Sequence, residues 1–222
     1  YTPNPKSNIL DGDEFYHCIK SLRKKEGDVI YTTDGKGNLF KTKIEKIEKS
    51  LSYLEKKKKI KSISQKKTNH VSICLIKSQS RIDWMVEKLT EIGINQISFI
   101  SSQNCERNKL NFDKLNKKII SAAKQCNSLF LPKLNEIISL DKFLYKTKNN
   151  DNKFFADLES KNKLKTYGDN SNSILLIGPE GDFTREEKEK IKGFKFKSIT
   201  LGDQILRSET AAVVGGYMLS EF

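Results

Sequence analysis

The residues with the most chemistry to offer lie in the last fifth of the chain. Arg207 and Glu209 follow the turn Leu201-Gly202-Asp203-Gln204-Ile205-Leu206, and Glu180 sits inside an earlier turn, Gly178-Pro179-Glu180-Gly181. Each turn ends a short apolar run and leads into a helical pattern. Glycines at the end of a buried strand let the backbone come close to a ligand, although they serve ordinary turns equally well. Arginine supplies a planar, permanent cation for an oxyanion or a phosphate. Of 41 basic residues only five are arginine, so lysine fills the solvated positions and Arg207 reads as a placed group. Glu209 falls in a first helical turn, where the dipole favours a carboxylate anyway. A structural role and a proton-accepting role are therefore both open for it. Glu180 is either an exposed acid at a ligand's edge or a cap for the next helix. No Gly-x-x-x-x-Gly-Lys and no Gly-x-Gly-x-x-Gly is present, which argues against the common nucleotide-cofactor folds. Cys18, Cys74, Cys105 and Cys126 are far apart and only two histidines accompany them, so no metal site is expected and the cysteines read as reduced thiols.

The elements that must hold these turns alternate in type. Apolar runs at His70–Lys77, Asn95–Ile100, Lys153–Ala156, Ile174–Ile177 and Ser198–Leu201 predict strands. Between them, Ile82, Met85, Val86, Leu89 and Ile92 recur at helical spacing over Arg81–Ile92, with Gly93 as the stop. Leu115, Ile119, Ala122, Ala123 and Cys126 do the same over Phe112–Cys126. Thr184 and Glu187 form a capping-box pattern at the head of a helix to Lys192, and Ser208–Leu219 reads as a closing helix. Strands alternating with helices predict an α/β domain with a parallel sheet over residues 69–222.

Residues 1–68 read differently. Glu14–Arg23 predicts a short helix with Phe15, Cys18, Ile19 and Leu22 on one face. Asp28–Thr33, the turn Asp34–Asn38 and the alternating stretch Leu39–Ile47 predict a hairpin in a small β domain. The run Lys56–Lys59 through Lys67 has no periodicity and reads as a mobile connector or a hairpin tip. Net charge is +13, of which +8 falls on residues 41–67. Such a field fits a solvated hairpin or an attraction to phosphate. No apolar stretch approaches bilayer-crossing length and no signal peptide is read, so a cytoplasmic location is expected.

Two of these motifs taken together are specific. Gly178-Pro179-Glu180-Gly181-x-Phe183 followed by Leu201-Gly202-x-x-Ile205-Leu206-Arg207-x-Glu209-Thr210-Ala211 resembles the signature of the RsmE-type RNA methyltransferases, of the SPOUT class. The likeness continues upstream. Thr90-Glu91-Ile92-Gly93, Cys105-Glu106-Arg107-Asn108 and Ala122-Ala123-Lys124-Gln125-Cys126 resemble family motifs in the second domain. His17-Cys18-x-x-x-Leu22-Arg23-x-x-x-Gly27-Asp28 is similar to the family's PUA-like RNA-binding domain. Two departures stand out: Asp182 where many relatives carry glycine, and Ser128 where many carry arginine. Asp tolerates unusual turn geometry, so the first departure is expected to be harmless.

The resemblance implies a trefoil-knotted α/β domain whose last helix threads a loop, an exception to the usual unknotted topology, preceded by a PUA-like β-barrel. It implies S-adenosylmethionine as cofactor. Ala156, Leu176, Gly178, Pro179, Glu180, Gly181, Leu201, Gly202, Ile205, Leu206, Arg207 and Thr210 are the residues implied to hold it. It implies RNA contacts from Arg23, Lys56, Lys57, Lys58, Lys59, Arg107 and Gln125. The implied reaction methylates N3 of a uridine in 16S ribosomal RNA, with the small subunit as substrate and a homodimer as the active form. N3 of uracil keeps its proton in neutral water, so transfer needs that proton removed or the anion stabilised. Arg207 is the implied cation and Glu209, ahead of Glu180, the implied proton acceptor. A ribose 2′-O-methyltransferase and a non-catalytic RNA-binding assembly factor remain as alternatives.

Overall fold

A computed structural model describes residues 1–105, 109–150, 152–167 and 172–221. The chain divides into two compact units. The first comprises residues 1–65 with 123–131, and the second 66–122 with 132–222. The sequence expectation placed the boundary at 68/69 and gave all of 123–131 to the second domain. Two backbone hydrogen bonds bind that segment to the N-terminal unit instead, Gly37 N to Leu129 O and Leu131 N to Gly35 O, and together they make the isolated antiparallel bridge between Lys36 and Phe130.

The N-terminal unit is a curled antiparallel sheet. Its strands are β1 (Ile9–Asp11), β2 (Val29–Thr33), β3 (Asn38–Ile47), β4 (Leu51–Leu54) and β5 (Lys58–Ser62), in the order β1-β4-β3-β2 with β5 also on β3. Alternation along β3 points Phe40, Thr42 and Ile44 inward and the charged residues between them outward. Leu10, Cys18, Ile30, Ile44 and Leu54 form the small core. The β2–β3 turn is fixed by Asp34, whose carboxylate accepts the Lys36 and Asn38 N–H groups at 2.8 and 3.3 Å and the Asn38 amide at 2.7 Å. The predicted first helix is a turn of α-helix, α1 (Gly12–Tyr16), running into a π-helical turn at His17–Ser21. The π turn shifts the side-chain register. Phe15 and Cys18 are inside as predicted, but Leu22 is 55% exposed.

The Lys56–Lys67 run is not a loose connector throughout. Lys58–Ser62 is a strand, held by its backbone to β3 with every side chain exposed.

The second unit is built on seven parallel strands. These are β6 (Thr68–Cys74), β7 (Gln96–Ser101), β8 (Lys133–Leu134), β9 (Ile138–Ser139), β10 (Asn152–Ala156), β11 (Asn172–Ile177) and β12 (Lys197–Ile199). Their order is β12-β10-β11-β6-β7-β8, with β9 also beside β7. Helices α2 (Gln79–Ile92), α3 (Phe112–Gln125), α4 (Leu140–Lys146), α5 (Arg185–Gly193) and α6 (Ser208–Ser220) complete the unit, apart from the last residues of α3, which belong with the first. α6 packs on α2 and on the middle strands β6 and β11. The approach is close: a Cβ at Gly215 would collide with Leu175 Cδ2, and one at Gly216 would lie 2.7 Å from Leu89 Cδ2. On the other face, Phe143, Leu144, Ile191 and Phe196 of the α4 and α5 region cover Cys74, Ile100, Ile174 and Leu176. α5 begins with the predicted capping box, Glu187 N donating to Thr184 Oγ1 at 3.2 Å and Thr184 N to Glu187 Oε2 at 3.0 Å.

Near the amino ends of these strands, burial pushes the His70 imidazole down to about 4, with Nε2 2.8 Å from Ser98 Oγ and 3.2 Å from Ser72 Oγ. Below pH 6.5 the unfolded chain takes up this proton while the folded chain refuses it until about pH 4. Stability therefore falls as pH drops through that window. The loss attributable to His70 is about 2 kcal/mol, after allowing for the edge of the ring that faces a cleft. Urea unfolding at pH 7 and pH 4 should show His70→Asn losing that much less stability on acidification than the parent. Equal losses in both would remove His70 from the acid response.

Candidate active site

β12, β10 and β11 lie side by side, so the chain leaves three adjacent strands at the same, carboxyl-terminal edge of the sheet. Ligands of open parallel sheets bind at that edge. The turns after these strands enclose a cavity of about 400 Å³, a size that suits a nucleoside-like molecule. The turn after β10 contributes Ala156 and Asp157. The first glycine turn contributes Gly178, Pro179, Glu180 and Asp182. The second contributes Leu201, Gly202, Ile205, Leu206 and Arg207. Among the residues expected from sequence to hold a cofactor, Leu176, Gly181 and Thr210 are not in the lining. Leu176 points into the core. Gly181 faces Asn104, which donates to the carbonyls of Gly181 and Asp182 at 3.3 and 2.9 Å.

Asp182 takes the left-handed conformation, φ 59°, a region that favours glycine and that Asp tolerates better than most residues. Its Oδ1 accepts the Phe183 N–H at 2.7 Å and its Oδ2 pairs with Lys188 at 2.9 Å. Lys188 also reaches Asp157 at 2.9 Å, tying the first and second walls together. Burial disfavours the Lys188 charge, but Asp182 and Asp157 outweigh it and hold the ammonium above the usual lysine range. The second glycine turn is braced by Thr200, whose Oγ1 accepts the Gly202 N–H at 3.2 Å and donates to the Gly202 carbonyl at 3.0 Å. Gly202 itself has φ 134°.

Arg207 is the N-cap residue of α6 and is exposed on the cavity wall, and no ion pair to it occurs among the described residues. Glu209 is different. It is 5% exposed, lies outside the cavity lining, and places Oε1 3.4 Å from Arg81 Nε. Its Oε2 is buried with no hydrogen-bond partner among the described residues. A proton acceptor must reach the proton it takes; of the three carboxylates in the lining, Asp157 and Asp182 are each paired with Lys188 at 2.9 Å, which leaves Glu180 the least engaged. Arg81 from α2 joins the lining, 4.0 Å from Glu180. It was missed in the sequence, although the scarcity that singled out Arg207 applies to it equally.

The residues expected to touch RNA divide as follows. Arg23, Lys56, Lys58, Lys59 and Gln125 are exposed on the N-terminal unit. Lys57 is turned inward, its Nζ donating to Thr2 Oγ1 at 3.2 Å. Arg107, with Glu106 and Asn108, lies outside the described residues. Ser128 closes a turn, its hydroxyl donating to Phe130 O at 2.8 Å and accepting the Phe130 N–H at 3.2 Å. No group of metal-ligating side chains and no helix long and apolar enough to cross a membrane occurs among the described residues. A larger cavity, about 740 Å³, opens beside His70 at the opposite edge of the sheet and contains none of the expected site residues.

Comparison with known proteins agrees with this picture. Residues 64–219 match the RNA methyltransferase domain model, and residues 10–57 match the RNA methyltransferase PUA domain. The Ribosomal RNA small subunit methyltransferase E of Rickettsia conorii is 30% identical over 211 residues, covering 92% of this chain and 85% of that protein. A probable rRNA-methyltransferase from Porphyromonas gingivalis superposes with a TM-score of 0.89 at 29% identity, covering 100% of this chain and 97% of that one. The Neisseria gonorrhoeae Ribosomal RNA small subunit methyltransferase E, solved bound to S-adenosyl methionine, shares the fold at TM-score 0.84 and 23% identity, covering 100% of this chain and 95% of that one. With a methyltransferase domain over most of its length and a PUA domain before it, the chain belongs to the ribosomal RNA small subunit methyltransferase E family.

Proposed function

We propose that this RNA methyltransferase uses S-adenosylmethionine to methylate N3 of a uridine in 16S ribosomal RNA, working in the cytoplasm on the small subunit. The observation that carries the proposal is Arg207, exposed and without an ion-pair partner among the described residues, on the wall of a cavity framed by both glycine turns. Backbone groups and apolar side chains at Leu201, Gly202, Ile205 and Leu206 suit an adenosine, and Gly178 with Pro179 would bound its other end. When bound, the cofactor supplies an electrophilic methyl group, so the protein has to position and polarise rather than build a covalent intermediate. Arg207 would hold the negative charge that develops on the uracil carbonyls as N3 loses its proton. Glu180, in the lining and held among the described residues only by the long contact to Arg81, would take that proton.

Two further features support the reading. Trp84 on α2 and Tyr217 on α6 are 42% and 56% exposed on helices that pack together, which suits a homodimer built on that face. The exposed lysines of the 56–59 run suit phosphate contacts. Replacing Lys56, Lys58 and Lys59 with Gln should reduce the salt dependence of RNA affinity by about two to three counterions. An unchanged slope of log affinity against log salt would mean that none of the three touches phosphate.

The deciding experiment incubates the protein with S-adenosylmethionine and small subunits, and then identifies the modified nucleoside in 16S RNA by mass spectrometry. N3-methyluridine supports the proposal. A ribose-methylated product, or no product with the cofactor bound, overturns it.

A further inference from the structure

Arg81 stands where three elements meet. It enters from the first turn of α2, lines the cavity, and places its guanidinium between two carboxylates: Glu209 at 3.4 Å and Glu180 at 4.0 Å. Glu180 belongs to the first glycine turn, and Glu209 to the first turn of α6, two residues beyond Arg207. The two pairs are not equivalent. The Glu180 side chain is 43% exposed and the contact is long, so water competes with it. The Glu209 side chain is 7% exposed, and Arg81 is its only cationic partner among the described residues. The other oxygen of that carboxylate is buried with no hydrogen-bond partner among the described residues. A buried carboxylate so sparsely satisfied is costly, and a costly group beside a reaction site calls for a use.

We propose that Arg81 is a positioning residue for methyl transfer: by holding Glu209 it fixes the first turn of α6, and with it the direction in which Arg207 enters the cavity. This rests on the function proposed above. Arg207 is the N-cap residue of α6 and its side chain makes no capping hydrogen bond, so its backbone direction depends on what anchors the residues just after it. Ser208 is buried against the cavity and Glu209 is held by Arg81. Glu209 thus acts through a cation rather than on the substrate. The long contact to Glu180 lets the same guanidinium register both glycine turns, so that the cation and the acid of the proposed reaction keep their separation.

The test compares the full-length parent, Arg81→Met, and the double variant Arg81→Met with Glu209→Gln. The single variant leaves a buried charge without its cation, so it should lose both stability and rate. The double variant removes that charge, so its melting temperature and its calorimetric affinity for S-adenosylmethionine should return to within about twofold of the parent's. If Arg81 positions Arg207, the single-turnover rate of the double variant at saturating cofactor stays down by roughly a hundredfold, the scale of a small misplacement at a reacting centre. Arg81→Lys should retain part of that rate, because the charge is kept and the fork is lost. A double variant that recovers rate along with stability would reduce Arg81 to a structural prop and overturn the proposal. A parent that transfers no methyl group in the same assay would bring down the proposed function, and this inference with it.

Discussion

Arg207→Ala should cut the single-turnover rate at saturating S-adenosylmethionine by a hundredfold or more, about 2.7 kcal/mol of barrier. The expectation follows from where the charge is spent. Arg81, in the lining, sits against Glu209, and Lys188, which braces the turns, sits against Asp157 and Asp182. Arg207 has no such partner among the described residues and is exposed on the cavity wall. A cation of this kind gains most when negative charge appears beside it, which on the proposed route happens only as N3 is deprotonated. Affinity for the cofactor should change by only a few-fold, because most of the lining is glycine, proline and apolar residues of the strand ends and turns. Arg207→Lys should recover part of the rate and not all, lacking the planar fork. If cofactor binding falls as steeply as the rate, Arg207 belongs to the framework of the cavity. If the rate is normal, it has no part in the chemistry.

Gly37→Ala is expected to unfold the N-terminal unit selectively. Gly37 has φ 93°, which any side chain resists, and its Cβ would be driven into the carbonyl oxygen of Ile63 and lie 2.7 Å from Phe130 Cε1. Its N–H donates to Leu129 O and its carbonyl accepts the Ile63 N–H, each at 2.9 Å. One residue thereby joins the β2–β3 turn, the end of β5 and the 123–131 segment. Backbone strain and overpacking together should cost on the order of 3 kcal/mol or more, enough to lower the melting of so small a unit by roughly 15 °C. RNA affinity should drop sharply while calorimetric S-adenosylmethionine binding stays near the parent's. A variant that keeps RNA binding and thermal stability would show that this three-way junction is dispensable.

What could be read in the sequence was mostly local chemistry. The capping box at Thr184 and Glu187, the stop at Gly93 and the glycine turns announce themselves through neighbours a few residues away. The buried parallel strands were legible too, because an unbroken apolar run has few other uses. The misses share a different cause. β5 has no side-chain pattern, since all five of its residues are exposed and only its backbone is engaged. α4 did carry a signal, Leu140, Phe143 and Leu144 inside and Ser139 as N-cap, but seven residues are too few to stand out. Glu209 was legible as a carboxylate in a first helical turn. That it is buried and held by a residue of α2 depends on how distant elements pack, which no local pattern records. The same is true of the 123–131 segment, whose partners lie some ninety residues earlier.

The strand Lys58–Ser62 also bears on the protein's behaviour in solution. β3 is its only strand partner among the described residues, so its outer edge keeps a row of unpaired N–H and C=O groups. Ile60 and Ile63 are exposed beside it, at 45% and 41%. An open edge with apolar side chains is a template for strand-to-strand association between copies. The lysines on and before that edge oppose this by mutual repulsion, whether or not RNA is present. Neutralising them would therefore expose a self-association hazard along with any loss of RNA contact, and light scattering should accompany every affinity measured on such variants. A protein that must remain dispersed until it meets a polyanion can use one set of charges for both purposes.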